Sequence, residues 1–204
     1  MSQLATARDS NVFVNCPFDE NYTQFLYVTL FTLWCCGKSP QLTLLDRDST
    51  TPRLNRITKM IWSSKYGVHD LSRCKALEKD EFFRMNMPFE LGLDIGAKCF
   101  SEKSDKNILI IVSDKYDYQK ALSDLSGNDP ICYYNDAKTL SKEIRDWLYE
   151  SSNDKNEIPT AHEIWTSYED YFGRLQNELG IIKFNVVKVR EFLDKIPEYI
   201  TRKT

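Results

Sequence analysis

Asn107-Ile108-Leu109-Ile110-Ile111-Val112 is the stretch on which the fold turns. Five aliphatic side chains in succession leave no polar face, and Ser113-Asp114 closes the run. A strand with one wet face would alternate apolar with polar, so this run fits a central parallel strand covered on both sides. The same theme recurs toward the N-terminus. Asn11-Val12-Phe13-Val14-Asn15 is a short apolar run broken by Cys16-Pro17-Phe18-Asp19 and followed by an apolar-periodic segment over 22–36 that Gly37 ends. Gln41-Leu42-Thr43-Leu44-Leu45 predicts a second strand closing on Asp46 and Arg47, and Leu54, Ile57 and Ile61 mark a second helix. Tyr66-Gly67-Val68-His69-Asp70-Leu71-Ser72 predicts a third strand, Ile131-Cys132-Tyr133-Tyr134 a fifth, and 140–149 its helix.

Strand alternating with helix across short connections predicts an α/β, flavodoxin-like open parallel sheet of about five strands, with helices on both faces and right-handed crossovers. This first domain is expected over 11–150. Beyond the polar stretch 151–156, helical patterns over 161–179 and 186–199 predict a C-terminal helical extension spanning 157–204. Its Trp165, Tyr168, Tyr171 and Phe172 are expected to dock it on the domain or on a partner.

Bulk composition narrows the function classes. With 204 residues and 42% hydrophobic content the chain can bury one substantial core. The net charge of -3, from 27 basic and 30 acidic residues, offers no broad cationic footprint, so nucleic acid is not an expected ligand. Six cysteines without a C-x-x-C pair and two distant histidines, His69 and His162, argue against a structural zinc site. Without an apolar signal-like segment at residues 1–10 or a membrane-length apolar run, the expectation is a cytoplasmic protein with reduced thiols and no membrane contact.

The segment Asn86-Met87-Pro88-Phe89-Glu90-Leu91-Gly92-Leu93-Asp94-Ile95-Gly96-Ala97-Lys98 raises the functional question. Pro88 suits a first helical position, Phe89, Leu93 and Ala97 recur as a packing stripe, and Gly92 and Gly96 would let the helix press against a sheet. Glu90 is off that stripe. Its ordinary reading is a solvated edge with Asp94 and Lys98 at i,i+4 spacing, complementing the helix dipole. Against this, neither Asn86 nor Met87 completes a capping box, and an open parallel sheet puts its ligand crevice beyond the carboxyl ends of the strands. Glu90 is therefore expected to face the loops that follow those strands.

Val12-Phe13-Val14-Asn15-Cys16-Pro17-Phe18-Asp19, His69-Asp70-Leu71-Ser72 and Asn86-Met87-Pro88-Phe89-Glu90-Leu91-Gly92 together resemble the TIR-like and nucleoside 2-deoxyribosyltransferase-like group of nucleotide-binding domains. The resemblance covers roughly residues 12–148. It implies that Glu90 is catalytic, that the reaction is cleavage of the N-glycosidic bond of NAD, by hydrolysis or by cyclisation or transfer to an ADP-ribose-type signal, or else of a nucleoside or nucleotide by a glycosylase or deoxyribosyltransferase, and that the protein serves bacterial defence against phage. It also implies a homo-oligomer and a possible downstream effector protein. The segment lacks the second Asn that the group carries before its glutamate, and residues 75–84 form a longer insert than usual, which leaves the substrate open.

The chemistry divides the readings. Breaking the bond builds positive charge on the anomeric carbon, which a partly desolvated carboxylate stabilises or attacks. Nicotinamide leaves NAD as a neutral molecule and needs no proton, whereas a base leaving a neutral nucleoside is helped by a general acid. Asp70 is the candidate acid; a strand-end Asp that caps the following loop is the equal alternative, and would favour NAD. The expected substrate-binding residues are Cys16, Pro17, Phe18, Asp19, Asp46, Arg47, Arg53, Ser72, Asn86, Ser113 and Tyr116, with NAD as substrate rather than a bound cofactor. Arg47 and Arg53 suit a pyrophosphate, while Arg56 and Lys59 read as a solvated basic edge. His69, pointing away from Asp70, reads as a packed histidine, and Cys16 as a buried thiol. Tyr116 and Tyr118 suit base stacking or simple packing. A non-catalytic nucleotide-sensing or assembly module stands as the alternative outside enzymology.

Overall fold

The computed structural model describes residues 7–72, 85–102, 105–115, 117–120, 122–152, 155–179 and 186–201. In chain order the elements are α1 (Ala7–Ser10), β1 (Asn11–Asn15), α2 (Thr23–Cys35), β2 (Ser39–Gln41), α3 (Arg53–Trp62), β3 (Tyr66–Asp70), α4 (Asn86–Phe100), β4 (Asn107–Val112), β5 (Ile131–Cys132), α5 (Ala137–Ser151), α6 (Ala161–Leu179) and α7 (Val186–Thr201). They group into two compact units, residues 1–17 with 39–135 and residues 18–38 with 136–204. Helices α2 and α5, which the sequence reading assigns to 11–150, thus cluster with the C-terminal helices α6 and α7.

The first unit is built on five parallel strands in the order β2-β1-β3-β4-β5, the flavodoxin-like arrangement. Register is set by Val14 opposite Val68, Asn15 opposite His69, and His69 opposite Ile110. Because parallel partners share a face, Phe13, Asn15, Gly67, His69 and Ile110 line one side of the sheet. Helices α3 and α4 cover that side, where Phe13, Ile57 and Ile61 pack with Met60, Leu93 and Ala97. Val12, Val14, Val68, Leu109 and Ile111 on the opposite side are buried as well, as a doubly covered parallel sheet requires. Toward β5, Leu71, Leu91, Val112 and Tyr118 form a second cluster.

Several local expectations are corrected. The second strand is Ser39–Gln41 and not 41–45, because Thr43–Leu45 winds into a 3-10 turn. Pro40 fits there since β2 is an edge strand paired only with β1. Helix α4 begins at Asn86, so Pro88 occupies its third position, still within the first turn, where no intrahelical N–H bond is lost. Phe89 is exposed, which shortens the packing stripe to Leu93 and Ala97. Gly92 and Gly96 do not admit a close approach: a Cβ at Gly92 would meet nothing within 4 Å, and one at Gly96 would meet only Phe100 at 3.9 Å.

The second unit is helical, with an aromatic core. Phe31 of α2 stacks on Tyr171 of α6 at 5.3 Å between ring centroids, and Tyr27 lies 4.6 Å from Phe192 of α7. The Thr32 and Ser141 hydroxyls meet at 2.8 Å and tie α2 to α5. Tyr168, Tyr171 and Phe172 of α6 therefore pack on α2. No helix among the described residues is long and apolar enough to cross a membrane.

Candidate functional site

In a sheet of this order, the crossover direction reverses between β1 and β3, and the carboxyl ends of those strands form the natural ligand position. Asn15, Asp70 and Ser72 stand there. Helix α4 brings Glu90 in one turn from its start, and α3 brings Arg53 as its first residue. The Glu90 Oε1 atom lies 3.9 Å from Nη2 of Arg53. Arg53 is half exposed, whereas the Glu90 side chain is 7% exposed.

Among the described residues, Glu90 is thus neither solvated nor neutralised by a close partner. Among the described residues it accepts no hydrogen bond, and its only ion pair is the long one to Arg53. Burial pushes its pKa above the ordinary carboxylate value, and the Arg53 charge offsets part of that rise. The solvated-edge reading of this helix face is overturned at Asp94 too, which is fully buried. Buried carboxylates normally collect two or more hydrogen bonds, and one that does not is a functional-site candidate on physical grounds.

Asp94 is held by one hydrogen bond and one close ion pair. Its Oδ2 atom is 2.9 Å from Nε2 of His69 and its Oδ1 atom 2.9 Å from Nζ of Lys106. Lys106 is itself buried just before β4, and besides this ion pair its ammonium donates to the carbonyls of Ile61, at 2.8 Å, and Ser64. Burial works to raise Asp94, and the hydrogen bond from His69 and the charge of Lys106 outweigh it, so its pKa is lowered. This network makes room for itself through Gly67, whose missing side chain leaves the space that the Asp94 carboxylate fills.

Asp70, at the end of β3, accepts the backbone N–H of Ser72 at 2.7 Å, the loop-capping geometry. The Ser72 hydroxyl meets that of Tyr133 at 3.0 Å, joining the loops after β3 and β5. Ser113 donates to Asp114 at 2.9 Å, and its carbonyl receives the Cys132 thiol. Asp46 anchors a loop: its carbonyl accepts Arg56 Nη1 at 2.8 Å and its carboxylate lies 3.7 Å from the same atom. Arg56 is therefore partly buried, which corrects its reading as a solvated edge; Lys59 and Arg47 are exposed. Asn86 is exposed at the start of α4, and Cys16 and Pro17 are buried. Phe18 and Asp19 open the second unit, where Asp19 caps a turn by accepting the Tyr22 N–H at 3.1 Å. Tyr116 lies outside the described residues, and Tyr118 is core.

The structure brings Arg53 to Glu90 and keeps His69 packed. What sequence reasoning missed is the polar support beneath: Asn15, Asp94 and Lys106. Two signals pointed to it, a glycine inside an apolar strand and a lysine abutting the most apolar run. Comparison with family models, with curated proteins and with solved structures finds no match to this chain.

Proposed function

We propose that this chain cleaves the bond between nicotinamide and ribose in NAD. The observation that carries the reading is Glu90, a buried carboxylate with no hydrogen bond among the described residues, standing 3.9 Å from an arginine at the carboxyl edge of a parallel sheet. Desolvation strengthens its attraction for positive charge, and the cation that develops at the ribosyl C1′ is the charge such a group is suited to hold. As the C1′–N bond breaks, its electron pair moves onto the pyridinium nitrogen and nicotinamide departs neutral. Water then adds to C1′ and loses a proton to solvent, giving ADP-ribose. Arg53, half exposed and next to the N-terminus of α3, is suited to the pyrophosphate.

The position of Asp70 favours NAD over a neutral nucleoside. Its carboxylate caps the Ser72 N–H, and a leaving group that needs no proton does not call for it as an acid. The resemblance of the Met87-Pro88-Phe89-Glu90-Leu91-Gly92 segment to TIR-like domains points the same way, and with it to a bacterial anti-phage role in a self-assembled form. The test is a substrate panel with purified protein across a wide concentration range. Nicotinamide release from NAD, with adenosine, deoxyadenosine and deoxycytidine left intact, is the expected result. Base release from the nucleosides with NAD untouched would assign a nucleoside glycosylase instead, and NAD binding without turnover would make the chain a sensor.

A further inference from the structure

Asn15, the last residue of β1, uses its side-chain amide twice. The Nδ2 atom donates to the Met87 carbonyl at 2.9 Å and lies 3.0 Å from Nδ1 of His69. The Met87 carbonyl can only accept, so the amide nitrogen, and not its oxygen, must point inward. With one amide proton on Met87, the other faces His69 Nδ1, which must then be the accepting nitrogen. The ring proton of His69 is left on Nε2, aimed at Asp94 Oδ2 at 2.9 Å. The chain Asn15, His69, Asp94 therefore has one donor-acceptor arrangement, and every member of it is buried.

The two ends of this chain grip α4 on either side of Glu90. Met87 is three residues before it and Asp94 four after, a spacing that puts all three on one face of the helix. Hydrogen bonds at both points pin that face to the ends of β1 and β3, while Glu90 between them is left without a hydrogen bond of its own among the described residues.

We infer that Asn15 and His69 are positioning residues for Glu90, fixing the first turns of α4 so that the carboxylate stays buried at the sheet edge. The inference rests on Glu90 being the working carboxylate of the proposed NAD cleavage, and it makes a physical claim that can be read without turnover. Releasing the Asn15 clamp lets the start of α4 relax outward and water reach Glu90.

The experiment is a 13C NMR titration of the full chain carrying labelled glutamate carboxyls, with the Glu90 signal assigned through Glu90→Gln. It is run on the wild type and on Asn15→Leu, which keeps the approximate shape and removes both donors. Asn15→Ser, smaller and retaining one donor, replaces it if Asn15→Leu fails to fold. The expected result is a Glu90 titration displaced from its raised position toward the ordinary glutamate range in the folded variant. Alongside it, kcat for nicotinamide release drops about tenfold or more with KM nearly unchanged, as misplacement of a reacting group would produce. A Glu90 titration that does not move in a folded Asn15 variant overturns the inference and leaves Asn15 a stability residue. If the wild type cleaves no NAD, the proposed function fails, while the titration still decides whether Asn15 positions Glu90.

Discussion

Gly67 and Asp94 occupy what would otherwise be one volume: a Cβ built on Gly67 would fall 2.2 Å from Oδ2 of Asp94 and 3.0 Å from Nε2 of His69. Nothing there can give way, because both neighbours are buried and hydrogen-bonded to each other. Gly67→Ala is expected to cost on the order of 3 kcal/mol or more, the range of buried overpacking combined with a broken polar network. Gly92→Ala, in the exposed interior of α4 with open space around the new methyl, is expected to stabilise by up to about 1 kcal/mol. Thermal denaturation of the pair checks both, and equal effects would contradict this assignment of the two glycines.

Lys106 is expected to be costly to neutralise. In Lys106→Met, Asp94 keeps only His69 as a partner among the described residues, and an uncompensated buried charge costs about 3–5 kcal/mol. The pH dependence follows from the lowered pKa of Asp94. A carboxylate held below its unfolded value contributes stability that is present above the unfolded pKa and lost as pH falls through the folded one. Urea unfolding from neutral pH down into the acid range should show wild type losing stability more steeply than Asp94→Asn, with the two converging at the acid end.

Glu90 has the opposite sign. Its folded pKa is raised, so between the unfolded and folded values the native state holds the extra proton, and stability falls as pH rises through that window. Glu90→Gln removes the penalty of keeping a charge buried and should raise Tm at neutral pH. The gain should vanish below the ordinary glutamate pKa. A destabilised Glu90→Gln at neutral pH would mean that the carboxylate serves the fold.

The helical unit can be tested at Phe31, which is fully buried and packs its ring against Tyr168, Tyr171 and Tyr199. Phe31→Ala should destabilise by about 3–5 kcal/mol. A cost near zero by denaturant unfolding would show that α2 does not share a core with α6 and α7.

The sheet, apart from its edge strand β2, was legible because its determinants are local. Burial on both faces writes itself as unbroken apolar runs at Val12–Val14 and Ile108–Val112, and the intervening helices carry their own periodicity. Arg53 was legible for a similar reason, as a cation at a helix start beyond a strand-end loop. The support beneath Glu90 was not. Asp94 spaces correctly for a surface edge with Glu90 and Lys98, and only the tertiary contacts to His69, 25 residues away, and to Lys106 show that the edge faces inward. Grouping α2 and α5 with the C-terminal helices escaped notice because the aromatic pairs that do it, Phe31 with Tyr171 and Tyr27 with Phe192, join distant parts of the chain.

The most direct measurement is nicotinamide release from NAD by wild-type protein and by folded Glu90→Gln, followed by chromatography as a function of pH. Wild-type activity should fall away on the acid side at a pH above the ordinary glutamate pKa, since the ionised carboxylate is the working form and burial raises its pKa. The variant should lose at least about a hundredfold above that acid limb, the scale of removing a charge-stabilising group, and the two should converge as Glu90 protonates. Turnover by Glu90→Gln comparable to wild type, with the same acid limb, would contradict the account.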